Sequence, residues 1–237
     1  MAEYIVCETD ERTYFLKRML TGMHPAVNTY IFAPNLVLTE RETERIGVGE
    51  ILVCGRTAPD AEKAIRDKRI KVHYMMRDEK FQAANAVLTA EGALGIIIDH
   101  TMKSLADINV LVIGFGRTGA AMCKLLTKLD VDYDVATTAS HRPAGAFAKR
   151  TVGTEGLDLT PYDVIVNTVP EKIISEEQAL SMPAHAVYID LASKPALDLA
   201  ALQNLGMDAD IYPALPAKVS PESAARVMKE YITGVSK

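Results

Sequence analysis

The segment that most constrains the fold is a glycine-rich turn between an apolar run and a helical stretch. Gly114, Gly116 and Gly119 have the spacing G-x-G-x-x-G. Residues 109–113 (NVLVI) form an apolar run typical of a buried strand, and residues 120–126 (AAMCKLL) begin a helix. The glycine spacing alone is a weak signal, but a strand before it and a helix after it are the context of a dinucleotide-binding unit. The segment therefore predicts a Rossmann unit.

The glycines of this turn are expected to have three separate roles. Gly114 makes the tight turn, Gly116 lets the backbone approach a pyrophosphate, and Gly119 lets the helix pack closely on the strand. The helix N-terminus then directs its unpaired N–H groups at the anion. The expected nicotinamide dinucleotide contacts are Gly114, Phe115, Gly116, Arg117, Thr118 and Gly119. The alternative is a tight strand-to-helix turn that holds no ligand.

The residues after the second strand indicate which dinucleotide fits. An NAD enzyme usually places a carboxylate against the ribose 2′-OH about 20 residues after the glycines. Residues 136–142 (ATTASHR) contain no carboxylate. Thr138, Ser140 and Arg142, with help from Arg117, can hydrogen-bond a 2′-phosphate and pair with its charge. NADP is therefore favoured over NAD, and the alternative for Arg142 is a solvated loop charge.

The N-terminal part of the chain alternates short β-rich runs with helical stretches. This alternation predicts a small parallel sheet covered by helices. The turn after the first run, residues 8–12 (ETDER), is acidic and lacks glycine. It cannot bring backbone N–H groups close to a phosphate, so a second dinucleotide site is not expected here.

The remainder of the chain predicts a doubly wound parallel sheet. A helix over 85–101 links the two parts. Strands are then expected near 109–113, 132–137, 151–152, 163–167, 186–191 and 207–211, with helices near 117–129, 175–181, 198–205 and 221–233. We therefore expect an α/β fold with two domains. These are a smaller N-terminal α/β domain at 1–84 and, at 85–237, the linking helix with a C-terminal NAD(P)-binding Rossmann domain.

Composition excludes several classes of function. A net charge of −5 and the lack of a basic run argue against nucleic-acid binding. The longest apolar runs, such as 94–98, are far shorter than the roughly 20 residues of a membrane span, and residues 1–10 carry acids without a basic segment. Cys7, Cys54 and Cys123 form no CxxC pair, so neither a metal site nor a disulfide is indicated. A soluble, cytoplasmic protein is expected, and the sequence is compatible with a homo-oligomer.

Several blocks of the second part match one known family in order. They are TAEG at 89–92, HT at 100–101, VIGFGRTG at 112–119, NTVP at 167–170, IDLASKP at 189–195, and LP at 215–216 with the helix after Pro221. On these blocks residues 85–237 resemble the A-type subunit of dipicolinate synthase from spore-forming bacteria. The resemblance implies NADP-dependent oxidation of dihydrodipicolinate to dipicolinate (pyridine-2,6-dicarboxylate). It also implies the mother cell of a sporulating bacterium as the location and, as the partner, a flavoprotein-like B-type subunit.

Ligands of a doubly wound sheet bind beyond the carboxyl ends of its strands. Thr168, Val169 and Pro170 follow one expected strand, and Ser193 follows the next. Thr168 is expected to hydrogen-bond the nicotinamide ribose, Pro170 to rigidify the loop, and Ser193 to meet the carboxamide. Ordinary turn chemistry is the alternative for Thr168 and Pro170.

A dicarboxylate substrate needs at least one cation in a fixed position. Lys194, which follows a strand end and stands where the family pattern has arginine, is the first candidate, and Lys218 is the second. Glu91 is a candidate substrate or domain contact; its alternative role is to complement a helix dipole. For both lysines the alternative is a solvated surface position.

Two other functions compete with this interpretation. A hydroxyacid dehydrogenase shares the architecture but needs a late histidine supported by a carboxylate, and no histidine follows His185. A non-catalytic NADP-binding or assembly protein is the other alternative, because no catalytic base is evident in the sequence.

Overall fold

The structure is a computed structural model that describes residues 1–138, 150–192, 194 and 197–236. It divides into two compact units. Unit 1 comprises Met1–Leu88 and Pro216–Lys237, and unit 2 comprises Thr89–Leu215.

Unit 1 contains a four-stranded parallel sheet and a separate two-stranded parallel ladder. The sheet strands in spatial order are β1 (Tyr4–Val6), β2 (Thr29–Ile31), β4 (Ile51–Cys54) and β6 (Lys71–Tyr74). The ladder pairs β3 (Val37–Leu38) with β5 (Arg56–Thr57). The helices are α1 (Glu11–Leu20), α2 (Glu40–Thr43), α3 (Pro59–Asp67) and, from the C-terminal segment, α9 (Pro221–Val235). The expected small parallel sheet is present, whereas β3, β5 and α2 were not predicted.

The C-terminal helix α9 packs with unit 1, which differs from the expected division at 84/85. Met228 and Ile232 of α9 are fully buried and share a core with Leu16 and Leu20 of α1. The apolar face of α1 is therefore covered by α9, which lies about 210 residues further along the chain. Because the apolar face of α9 is buried in unit 1, the C-terminal segment belongs to unit 1 and not to the expected domain at 85–237.

Unit 2 contains a six-stranded parallel sheet. Its strands in spatial order are β12 (Asp208–Ile211), β11 (Val187–Asp190), β10 (Val164–Asn167), β7 (Asn109–Ile113), β8 (Asp132–Ala136) and β9 (Arg150–Val152). Its helices include α5 (Arg117–Lys128), α6 (Glu176–Leu180) and α7 (Leu199–Asn204). Counted from β7, the order is 6-5-4-1-2-3, which is that of the Rossmann fold. The expected fold class is confirmed.

The apolar run of β7 is buried on both faces of this sheet. Val110 and Val112 belong to one core, whereas Leu111 and Ile113 belong to the core on the other side. Side chains alternate between the two faces of a strand, so a continuous apolar run requires cover on both. This burial fixes the strand from which the glycine-rich turn emerges.

Two helices contain residues of both units. Helix α4 (Glu79–His100) was expected to begin at 85, and the short helix α8 (Leu215–Val219) was not predicted. Helix α4 is also long and apolar enough, with a mean hydropathy of 1.4, to cross a membrane by length and composition alone. Core helices of soluble proteins meet the same criteria, and Ala93 and Ile97 of α4 lie fully buried in the core of unit 2.

Candidate functional site

The glycine-rich turn joins β7 directly to α5. Gly114 has φ +92°, in the region that glycine alone adopts without strain, and its N–H donates to the Ala136 carbonyl at 2.8 Å. A β-carbon on Gly114 would lie 2.5 Å from both Thr168 Oγ1 and Val169 Cγ2. No larger residue fits at this position without displacing the neighbouring loop.

The other two glycines of the turn have opposite surroundings. A β-carbon on Gly119 would lie 2.1 Å from the carbonyl oxygen of Gly114, so α5 approaches the turn too closely for any side chain. A β-carbon on Gly116, the residue that precedes α5, would meet nothing within 4 Å. Gly114 and Gly119 are therefore required by the fold. Open space lies beside Gly116 at a helix N-terminus, where a pyrophosphate is expected to bind.

The rest of the turn divides between the core and the surface. Phe115 packs against the buried core of unit 2. Arg117 is exposed and Thr118 is half-buried in the first turn of α5. Thr138, two residues after β8, is exposed and follows the buried Thr137. Ser140 and Arg142, the other residues expected to contact a 2′-phosphate, lie outside the described residues.

The loop after β10 is tied to the end of β7 by Thr168. Both the N–H and the hydroxyl of Thr168 donate to the Ile113 carbonyl, at 2.9 and 2.8 Å. Since this hydroxyl already uses its proton, it can meet a ribose only as an acceptor. Val169 is half-buried and Pro170 is exposed.

A buried polar network that the sequence analysis did not identify holds the ends of β10 and β11. Asp190 accepts hydrogen bonds from the Tyr188 hydroxyl at 3.1 Å, Asn167 Nδ2 at 3.1 Å and the Ala192 N–H at 2.9 Å. Asn167 also bonds both backbone groups of Val169, at 2.9 and 3.1 Å. The network therefore fixes the first residues of both loops.

The side chains of this network are almost completely buried. Asn167 is 1% exposed, and Asp190 and Tyr188 are fully buried. Burial, together with the Asp190 carboxylate, raises the pKa of the Tyr188 hydroxyl well above its ordinary value. Tyr188 thus remains a donor at any working pH. The only outward sign of this network in the sequence is a polar residue, Asn167 or Asp190, at the end of each apolar strand.

Three neighbouring strands bring these parts to one edge. Ile113, Asn167 and Asp190 are in register at the carboxyl ends of β7, β10 and β11. The strand order reverses between β7 and β10, which is the switch point where doubly wound sheets bind their ligands. The glycine-rich turn and the loop at 168–170 therefore meet where a dinucleotide would be expected.

The candidate substrate residues are less tightly placed. Lys194, beyond β11, and Glu91, on α4, are both exposed in unit 2, whereas Lys218 is exposed in unit 1. Ser193 lies outside the described residues. The structure thus gives none of the three charged residues a buried, fixed position.

Two histidine–carboxylate pairs lie at the opposite edge of the unit 2 sheet. His185 Nε2 is 2.9 Å from Asp163, which directly precedes β10, and His100 Nδ1 is 2.8 Å from Asp208, the first residue of β12. Both carboxylates are therefore at the amino ends of strands. Within the described part of unit 2, no histidine lies at the carboxyl edge.

Asp163 is the more buried of these carboxylates. Burial acts to raise its pKa, but hydrogen bonds from Lys103 at 2.6 Å, the Asn109 N–H at 2.8 Å and His185 outweigh this and leave the pKa below its ordinary value. Asp163 therefore anchors the amino ends of the strands, which is a structural role.

Comparisons with known proteins identify relatives with this architecture. No family model matches the chain. A curated protein, the A-type subunit of dipicolinate synthase from Bacillus subtilis, is 23% identical over 212 residues, which cover 87% of this chain and 71% of that protein. This chain resembles that dipicolinate synthase. The resemblance expected from the sequence motifs is confirmed, and it extends beyond residues 85–237 into the N-terminal part.

Solved structures give the same result for the fold. The corresponding dipicolinate synthase protein from Bacillus halodurans superposes with a TM-score of 0.81 at 20% identity, covering 99% of this chain and 97% of that one. A D-lactate dehydrogenase from Treponema pallidum superposes with a TM-score of 0.68 at 13% identity, covering 98% and 95%. The fold is therefore shared with dehydrogenases as well, so the activity has to be argued from the site.

Proposed function

We propose that this chain is a nicotinamide-dinucleotide-dependent oxidoreductase. The observation that carries the proposal is the turn at 114–119, with two glycines that the fold requires and a third that faces open space at a helix N-terminus. Its position at the switch point of the sheet supports the same interpretation. When bound, the nicotinamide would accept a hydride from the substrate.

The proposed substrate is dihydrodipicolinate, which is oxidised to dipicolinate. Its support is the similarity to dipicolinate synthase and the family motifs at 89–92, 167–170 and 189–195. The reaction removes a hydride and a proton, and formation of an aromatic ring favours it. Because the product is aromatic, positioning of the substrate by this chain can suffice without a strong base at the site.

The same similarity supports a cellular setting and a partner. We propose a cytoplasmic protein of the mother cell that works with a flavoprotein-like B-type subunit, since the relative is one subunit of a synthase. A homo-oligomer is compatible with this proposal. A non-catalytic NADP-binding protein is the alternative that the turnover experiment distinguishes.

A hydroxyacid dehydrogenase is disfavoured by the positions of the histidines. Such an enzyme needs a histidine paired with a carboxylate beside the nicotinamide. The pairs that His185 and His100 form both lie at the amino edge, across the sheet from the glycine-rich turn. Within the described part of unit 2, no histidine–carboxylate pair lies beside the glycine-rich turn.

Turnover can be measured by the appearance of pyridine-2,6-dicarboxylate in the ultraviolet. The purified chain should convert dihydrodipicolinate in the presence of NADP, alone or with the flavoprotein-like partner, and should not oxidise D-lactate. NADPH binding without turnover under both conditions would identify a non-catalytic protein. Oxidation of D-lactate would instead favour the hydroxyacid dehydrogenase.

The cofactor prediction concerns the residues after β8. NADPH should bind more tightly than NADH because no carboxylate follows in 137–142 and Arg142 can pair with a 2′-phosphate. Arg142→Ala should weaken NADPH binding by roughly 1.5–3 kcal/mol and leave NADH binding nearly unchanged. Calorimetric titration of both cofactors tests this, and equal or tighter NADH binding by the parent chain would refute it.

The substrate prediction concerns Lys194. Lys194→Met preserves the stem and removes the charge, so KM for dihydrodipicolinate should rise with a smaller effect on kcat. Lys194→Arg should retain most activity, because a guanidinium also pairs with a carboxylate. Lys128→Met, at an exposed lysine near the end of α5, is the control. If Lys194→Met keeps kcat/KM within about twofold, Lys194 is a surface residue and Lys218 is the next to test.

A further inference from the structure

Unit 1 has its own cavity at the carboxyl edge of its sheet. Its volume is about 410 Å³, within the range of small-molecule sites. Cys7 and Thr9 follow β1, Phe32 follows β2, and the segment of β3 and α2 closes the other side. The site proposed above does not use this cavity, which is lined by unit 1 residues alone.

Two arginine residues line this cavity. They are Arg41 and Arg45, and neither forms a salt bridge among the described residues. By contrast, Arg12 and Arg150, which lie outside the cavity, pair with carboxylates at 2.7 and 2.9 Å. Arg45 is held instead by neutral groups. Its Cζ lies 5.2 Å from the centre of the Phe32 ring, and Nη2 contacts Cys7 Sγ at 3.2 Å. Most of its hydrogen-bond donors therefore remain for a ligand.

One carboxylate also lines the cavity. Glu42 accepts hydrogen bonds from the Thr39 hydroxyl at 2.6 Å and the Thr39 N–H at 2.8 Å. Hydrogen bonding by Thr39 lowers the pKa of Glu42, so this carboxyl is ionised at neutral pH. Two guanidinium charges against one carboxylate leave the cavity with a net positive charge.

The rest of the wall is mainly apolar. Phe32 and Leu38 are each 1% exposed in the whole chain and present only a small edge to the cavity, whereas Leu36 and Val37 are more open. An anion that fits must therefore carry a charged end for the guanidinium groups and an apolar body for this wall. The planar guanidinium matches a carboxylate in bidentate geometry.

We propose that this cavity in unit 1 is a binding site for a small organic carboxylate with an apolar body. The proposal does not rest on the nucleotide site or on the proposed reaction. It accounts for two arginines beside a largely apolar wall that form no salt bridge among the described residues.

Cys7 provides a local reporter of occupancy. It is half-buried and lines the cavity, whereas Cys54 and Cys123 are 0% and 1% exposed. Burial raises the pKa of both buried thiols to about 12, so they scarcely form the reactive thiolate. In the folded chain, a neutral alkylating agent such as iodoacetamide should therefore modify Cys7 first. Mass spectrometry of the peptide that contains Cys7 gives the rate.

The experiment measures protection of Cys7 in the full chain without cofactor. The probes are benzoate, pyridine-2,6-dicarboxylate and inorganic phosphate, each at matched ionic strength. At a concentration about ten times the Kd of a binding probe, alkylation should slow about tenfold, because only the empty fraction reacts. Protection by either carboxylate but not by phosphate supports the proposal. Protection by phosphate alone overturns the ligand class, and absence of protection by all three up to about 50 mM overturns the site.

Variants separate the cavity from general charge effects. Arg41→Gln leaves Cys7 and its contact with Arg45 in place. If this variant raises the Kd of the probe tenfold, protection at the same probe concentration should fall from about tenfold to about twofold. Arg45→Gln should do the same, with protection expressed relative to its own rate without probe. Arg66→Gln, at an exposed arginine of α3 outside the cavity, is the control and should leave protection unchanged. Equal loss of protection in Arg66→Gln would show a general charge effect and overturn the site.

Discussion

Gly116→Val is expected to abolish NADPH binding while the chain stays folded. A β-carbon at Gly116 would meet no protein atom within 4 Å, and φ is −74°, which any residue adopts. The added side chain would instead fill the space that a pyrophosphate needs. Affinity should fall at least about 100-fold, or roughly 3 kcal/mol. The cost to stability is a less favourable helix cap, about 1 kcal/mol.

Fluorescence titration of NADPH and thermal unfolding by circular dichroism together test this prediction. Gly95→Ala is the matched control, since a β-carbon there also meets nothing and the residue lies within α4. It should keep NADPH affinity and slightly raise Tm. Gly119→Ala should lower Tm instead, because its β-carbon would lie 2.1 Å from the Gly114 carbonyl oxygen. NADPH affinity that is unchanged in Gly116→Val would remove the turn at 114–119 from the proposed site.

The turn was predictable because its determinants are local. An apolar run, three glycines at fixed spacing and a helix lie within residues 109–128, and each constrains the next. The structure adds the reasons for two of the glycines. Thr168 and Val169 crowd Gly114, and these residues come from a loop more than 50 positions away. The motif could be recognised from sequence, but its steric necessity depends on the neighbouring strand.

Contacts between segments that lie far apart in the sequence could not be predicted. The cover for α1 comes from α9, and nothing within either segment indicates the other. The C-terminal helix therefore belongs to unit 1 and not to the expected domain at 85–237, although its own helical periodicity was recognised. Lys218 moves with it, from the expected Rossmann domain to unit 1.

The positions of the histidines in unit 2 could not be predicted from the sequence. The sequence showed only that no histidine follows His185. Histidine–carboxylate pairs do exist in unit 2, but they join residues 22 and 108 positions apart. Both pairs lie at the amino ends of the strands, whereas the nicotinamide is expected at the carboxyl ends. This position depends on the register of the sheet.

The buried network at Asp190 should make this residue the most sensitive polar position in unit 2. Asp190→Ala would leave the Tyr188 hydroxyl, the Asn167 amide and the Ala192 N–H without their acceptor in a region that excludes water. An unsatisfied buried donor costs about 1–3 kcal/mol, and relaxation recovers part of the sum. We expect a loss of about 3 kcal/mol, or a fall in Tm of about 6–12 °C for a chain of this size.

Two conservative variants determine whether the hydrogen bonds or the packing are responsible. Tyr188→Phe removes one donor and leaves the carboxylate with its other partners, so it should cost only about 1 kcal/mol. Asp190→Asn keeps an acceptor for Ala192 but turns an amide donor toward Asn167, so its stability should lie between those of the other two variants. Urea unfolding monitored by circular dichroism gives all three free energies. If Asp190→Ala costs no more than Tyr188→Phe, Asp190 does not organise the network, and the loops after β10 and β11 must be positioned by their apolar contacts alone.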